Sequence, residues 1–307
     1  MKIPRSTQEM IPVKHILNDG TFVLDSGEYS KMFAFTDINY TELRDEEKMR
    51  RLVDYSALLN SIDKGIYAKI SIFFRPIRQE QFERDVLIPM NPEDELDDYR
   101  ENMNTVLREQ VRGTLGMTKQ AYLTITAGRR NDEDAAAFFA RVEGNLISSF
   151  QALGVELRAV PLSERLRLLH DIYRPGLEET FRYDAHAEKK LGMNWKDSIA
   201  PLSAEALNSC THLKIGGRYC KTLFLNAYPI YLNDRIVSDI ASIGKPMIFT
   251  IDFLPIPSAE AMAEAESRSM AIDTKIVNYT LHQQRNGNYS GSVPYKLMQR
   301  AAGVQEV

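Results

Sequence analysis

The amino-acid sequence predicts an α+β fold: ferredoxin-like, split βαβ units with helices packed on a mixed sheet. Three observations predict it. Segments with the two-residue alternation of strands and segments with helical spacing follow one another through residue 175. Gly, Pro, Asn or Asp punctuates nearly every boundary between them. The helical segments are of a length that covers one face of a sheet.

The elements follow in order. Thr21-Phe22-Val23-Leu24 and Lys31-Met32-Phe33-Ala34-Phe35 flank Asp25-Ser26-Gly27 and read as a β-hairpin. Residues 43–63 carry Leu43, Leu52, Tyr55, Leu58, Leu59 and Ile62 at helical spacing, and Gly65 ends that helix. Ile66 to Ile77 alternates as a strand. The polar, acidic stretch 78–98 reads as a loop or helix approach, with a helix following to about Val111 and closed by Gly113 and Gly116. Ala121 to Ala127 is strand-like. Asn131-Asp132-Glu133-Asp134 is an N-terminal cap signal, because carboxylates near a helix start satisfy free N–H groups. That helix runs to Leu153 and stops at Gly154; Val155–Val160 is a strand and Leu162–Tyr173 a helix ended by Pro175-Gly176. Residues 176–205 read as an irregular connection. Thr211–Ile215 and Tyr219–Leu225 form a hairpin around Gly216-Gly217, and Tyr228-Pro229 breaks it. Asn233–Ile243 reads as a short helix and Lys245-Pro246 opens a strand through Phe253. Pro255 and Pro257 end that strand, and Ser258 caps a long helix to about Gln284. The tail to Val307 is polar.

The expected organisation is an N-terminal α+β domain over 1–175, a second α+β segment over 176–257 sharing the same sheet, and a connecting helix with a flexible tail over 258–307. With 44% hydrophobic and 26% charged residues the chain has the balance of a globular protein. Its net charge of -4, without a polybasic run, gives no whole-chain argument for nucleic acid. No apolar run reaches the ~20 residues that span a bilayer, and Met1–Arg5 lacks the apolar core of a signal peptide. Two cysteines, Cys210 and Cys220, suit a reducing compartment, so the expected location is the cytoplasm.

Chemical motifs are sparse. A phosphate-cradling loop needs Gly-Lys-Ser/Thr at the start of a helix. Gly216-Gly217-Arg218-Tyr219-Cys220-Lys221-Thr222 has the residue types at the wrong spacing and runs into a strand-like segment; Gly287–Ser292 lacks the lysine. Cys210, His212 and Cys220 fall within eleven positions but form no Cys-x-x-Cys pair, and strand cysteines packed as small hydrophobes account for them. His170-Asp171 are adjacent, so on a helix they should point in different directions. No Gly-x-Ser-x-Gly elbow is present, and Glu93–Asp98 reads as a solvated helix start. The sequence therefore nominates no catalytic, cofactor-binding or metal-ligating residue and no cofactor.

Four stretches, in order, resemble a known family: Ile11-Pro12 with Asp19-Gly20, Tyr29-Ser30-Lys31 and Phe35–Tyr40; Glu164–Pro175; Gly217-Arg218-Tyr219 with Thr222–Leu225 and Tyr228-Pro229; and Val293-Pro294-Tyr295. Together, over residues 6–298, they resemble the N-terminal region of conjugation (type IV secretion) ATPases of the VirB-four/TraE type. In that family this region precedes a RecA-like motor, and it is associated with docking to membrane-embedded channel proteins and with self-association. The resemblance implies a non-enzymatic docking or assembly module held at the inner face of the plasma membrane through its partners. No residue of 1–307 forms a Walker A or Walker B motif, so ATP hydrolysis is not expected of this chain. Two other readings stand beside it. A single-stranded nucleic-acid-binding module would show exposed aromatics beside arginines on one sheet face. A hydrolase would show a pocket around His170 or the Cys210/His212 area.

Overall fold

The computed structural model describes residues 6–36, 43–62, 64–77, 79–112, 117–185, 190, 192, 194–206, 211–226, 236–241 and 243–285. The chain separates into two units, Met1–Phe253 and Leu254–Val307. The first contains strands β1 (Val13–Ile16), β2 (Phe22–Leu24), β3 (Glu28–Phe35), β4 (Ile66–Pro76), β5 (Met117–Gly128), β6 (Leu157–Ala159), β7 (Ala204–Ala206), β8 (Leu213–Ile215), β9 (Arg218–Cys220) and β10 (Met247–Phe253). Its helices are α1 (Asp45–Asn60), α2 (Gln79–Asp85), α3 (Asp97–Arg112), α4 (Asp132–Ala152), α5 (Leu162–Tyr173) and α6 (Ile236–Ala241). The second unit contributes α7 (Ser258–Arg285).

The fold is α+β. The main sheet has seven strands in the order β1-β2-β3-β5-β4-β10, with β6 pairing β3 as well. At its centre lie two interlocked split βαβ units. β3, α1 and β4 form one, with β5 inserted between the two strands; β5, α4 and β6 form the other, with β3 inserted. Every pairing among the described strands is antiparallel. In a split unit the two strands joined by a helix run the same way, but a third strand of opposite sense always separates them.

Strand alternation sorts side chains onto two faces. Phe33 of β3, Ile66, Ala68 and Ile70 of β4, and Leu123, Ile125 and Ala127 of β5 pack beneath Leu58 of α1 and Ala135, Phe138, Phe139, Leu146 and Phe150 of α4. The opposite face is covered too. Phe73, Tyr122 and Val160 pack with Leu168 of α5, and Leu166 packs with Ile11, Val13, Phe22, Trp195 and Ile199. The expectation of helices on one face only is thus corrected. β3 reads Met32-Phe33-Ala34-Phe35, apolar at successive positions, which is the pattern of a strand buried on both sides.

Local signals explain the boundaries. The Asn131 side chain accepts a hydrogen bond from the Asp134 N–H and starts α4. Gly27, Gly65, Gly154 and Gly216 take positive φ at turns. The stretch 78–98 holds the short α2 and then a loop, in which Asn104 of α3 hydrogen-bonds both the N–H and the C=O of Ile88. β10, from beyond residue 176, pairs with β4 over all seven of its residues. Strands β7, β8 and β9 form a separate three-stranded sheet. The expected Tyr228-Pro229 break, residues 233–235 of the expected helix and the tail from 286 lie outside the described residues.

Candidate functional site

The residues weighed for chemistry are spread over unrelated places. Gly216 (φ 58°) is the turn of the β8–β9 hairpin, and Lys221 and Thr222 follow a strand rather than begin a helix. The converging N–H groups of a phosphate cradle are not assembled there. His212 sits edge-on to Tyr219 at 5.4 Å, its Nδ1 2.9 Å from the Thr211 hydroxyl. Cys220 is half-buried, and Cys210 lies outside the described residues. Among the described residues no group of three or more His, Cys, Asp or Glu side chains could hold a metal ion.

His170 and Asp171 do meet, against the expectation from their adjacency. Asp171 Oδ1 lies 3.6 Å from His170 Nδ1, and Asp171 Oδ2 accepts a 2.7 Å hydrogen bond from Arg75 of β4. On the other side of the ring, Thr180 Oγ1 is 3.4 Å from His170 Nε2. The order hydroxyl, imidazole, carboxylate resembles a nucleophilic triad, but its environment is wrong for one. The His170 side chain has no solvent exposure, and burial holds its imidazole below its ordinary value. The Thr180 hydroxyl donates its proton to Leu177 O at 2.7 Å, and Phe181 closes over the ring edge-on. The cluster ties the end of α5 to β4 and to the 177–181 turn.

The start of α5 does the same for the other end of the sheet. Arg165 is buried and carries its charge into the fold. Its guanidinium donates to Gly20 O (2.9 Å), Ser30 O (2.6 Å) and Ser30 Oγ (2.8 Å) and lies 3.8 Å over the Phe22 ring. Burial pulls this group down to about 9, which still leaves it protonated at neutral pH. Nearby, Lys31 bridges Asp19 and Glu143, each at 3.3 Å. Burial alone pushes the Asp19 carboxyl up, but the Thr21 N–H and hydroxyl and the Lys31 ammonium outweigh it and hold it below its ordinary value. Two stretches more than 130 residues apart, 19–31 and 164–175, are thus tied by polar contacts that are buried at Ser30, Lys31 and Arg165. Arg174 completes the role of α5 by hydrogen-bonding Ala200 O and Asp197 O.

Two grooves flank α5. The larger, about 630 Å³, is lined by Thr36, Lys119, Tyr122, Glu156, Arg158 and Glu164 among others. Arg158 and Glu164 neutralise each other there through a two-pronged ion pair at 2.9 and 2.8 Å. The smaller, about 220 Å³, is apolar and runs between α5 and β1–β3. Neither reaches His170. On the same side of the sheet the aromatics are committed. Phe73 and Tyr122 pack edge-on at 5.3 Å and are buried under α5, while the Tyr67 hydroxyl donates to Asp252, which also pairs with Lys69 at 3.3 Å. This is not a row of exposed bases-stacking rings beside arginines.

The conspicuous surface lies elsewhere. The strand expected through Leu225 ends at Cys220, because β8 has only three residues and offers no backbone partner beyond Leu213. Leu223, Phe224 and Leu225 are consequently 78%, 84% and 52% exposed, and Tyr219 is 68% exposed. Sequence reasoning placed these residues in a strand and so did not mark them as surface. The signal was the three-residue limit on β8, which only the pairing reveals. No protein-family model matches the chain, and no curated protein matches it.

Proposed function

We propose that this chain is a docking and assembly module of a conjugative-transfer ATPase, binding a membrane-embedded channel component and hydrolysing no ATP itself. The observation that carries this reading is the exposure of Tyr219, Leu223, Phe224 and Leu225 in one short segment. Aromatic and leucine side chains more than half exposed to water form the kind of apolar patch that marks a protein interaction site, and aromatics dominate the energetics of such sites. The same segment carries part of the resemblance to the conjugation ATPases. No described helix is long and apolar enough to cross a membrane; the reading has the chain attach at the inner face of the membrane through its partner.

The test is a Leu223→Asp, Phe224→Asp double variant of the full chain, checked for folding by circular dichroism. In cells carrying the transfer element, co-purification of the channel subunits and transfer frequency are measured. Loss of an aromatic anchor weakens binding by roughly 30-fold, equivalent to about 2 kcal/mol, and transfer falls with it. Undiminished co-purification and transfer in the folded variant would sink the reading.

A further inference from the structure

The main sheet ends on β10, whose outer edge pairs with no strand among the described residues. Edge strands in natural proteins are normally blunted by lysine, proline, bulges or brevity, because a free row of N–H and C=O groups recruits other strands. β10 has none of these within it. It reads Met-Ile-Phe-Thr-Ile-Asp-Phe, seven residues and about 20 Å of regular strand. The prolines stand outside it, Pro246 before and Pro255 and Pro257 after, and they delimit a cassette rather than block it. Ile248 and Ile251 are 44% and 37% exposed, although both lie in a fully paired strand.

From this geometry we infer that β10 is a self-pairing edge: two copies of this chain join through antiparallel β10–β10 pairing about a two-fold axis at Thr250, extending the sheet across both. The occupant is a second copy because the strand is complementary to itself in that register. Phe249 of one copy falls opposite Ile251 of the other, and Met247 opposite Phe253, so the four apolar residues of one face meet only apolar residues. On the other face Ile248 falls opposite Asp252, and Thr250 opposite Thr250. The single charge, Asp252, never faces its own copy, and its carboxylate is already held by Tyr67 and Lys69 of β4. Aromatic and β-branched residues directly opposite one another are the favourable cross-strand pairs, and an isologous interface of this kind closes at two copies.

This inference rests on the β10 edge and not on the 219–225 segment that carries the docking reading, so either can fail without the other. It is tested on the full chain by sedimentation velocity over a dilution series. Wild type populates a dimer that dissociates on dilution. Thr250→Lys and Thr250→Glu, substitutions at an exposed position, each place like charges opposite one another at the axis and give monomers. Mixed in equal amounts, the two variants form a heterodimer, because the axis then holds an ion pair. Circular dichroism shows both variants folded. A wild-type monomer at every concentration, a dimer untouched by either variant, or variants that stay monomeric when mixed would each overturn the proposal. The first of these, together with capture of a different chain on β10, would give the edge to that partner instead.

Discussion

Gly20 has φ of 84°, and a Cβ built there would lie 2.6 Å from Val160 O and 3.2 Å from Leu162 N. Both obstacles are backbone, so neither can swing aside. The close approach lets the start of α5 reach the β1–β2 turn, where Arg165 donates to Gly20 O. Gly20→Ala therefore combines left-handed strain with a forced separation of α5 from the turn. It should cost about 2–4 kcal/mol of stability, read from the midpoint of urea unfolding. An unchanged midpoint would mean the turn relaxes without disturbing Arg165. In the sequence, Arg165 is only one position of the Leu162–Tyr173 helix. Its burial follows from acceptors, Gly20 O, Ser30 O and Ser30 Oγ, that belong to the β1–β2 turn and to β3, far away in sequence.

Among the elements, α4 and α5 show how different a helix can be in origin. α4 is specified locally. Asn131 caps it, Asp132, Glu133 and Asp134 complement the dipole of its first turn, and Gly154 follows its end. Asn131→Ala should lower stability by about 1 kcal/mol, measured by chemical denaturation, since one N–H of the first turn loses its acceptor. A neutral effect would show that a water replaces the side chain at no cost. α5 has no side-chain cap hydrogen bond. It is held by what its side chains reach: Arg165 to the β1–β2 turn and β3, Asp171 to Arg75 of β4, and Arg174 to the 197–200 segment. Its density of inward-facing polar residues makes Glu164–Pro175 an assembly point of the fold.

Across the first unit, stability is distributed by pairing. β5 has partners along both edges, β3 and β4, and is buried between two layers of helix. The β7–β8–β9 sheet has strands of three residues and little buried apolar surface. Amide hydrogen exchange of the intact chain should show β5 and the adjoining parts of β3 and β4 exchanging slowest and β7–β9 fastest. Equal protection in the two sheets would contradict this ranking. The ranking also bears on the proposed docking, because the exposed Leu223–Leu225 segment follows directly on the sheet expected to open most readily.

Apart from β1, α2 and β7, which it left unmarked, the sequence by itself determined the element order, most boundaries and the α+β class. Those depend on signals acting within a few residues: the two-residue alternation of β4, the Asn131 cap, the glycine turns and the prolines around β10. The spacing of residues 216–222 also argued, from sequence alone, against a phosphate-cradling loop. Only the tertiary structure decided which strands pair and what each face meets. The pairing of Phe249 with Ile72 spans 177 positions, and the Arg165–Ser30 bonds span 135. No local propensity encodes a partner at such distance; it is chosen by which closure buries both faces of the sheet while leaving its polar groups bonded. The meeting of His170 with Asp171, the exposure of Leu223–Leu225 and the place of β10 at the end of the sheet among the described residues all follow from that closure.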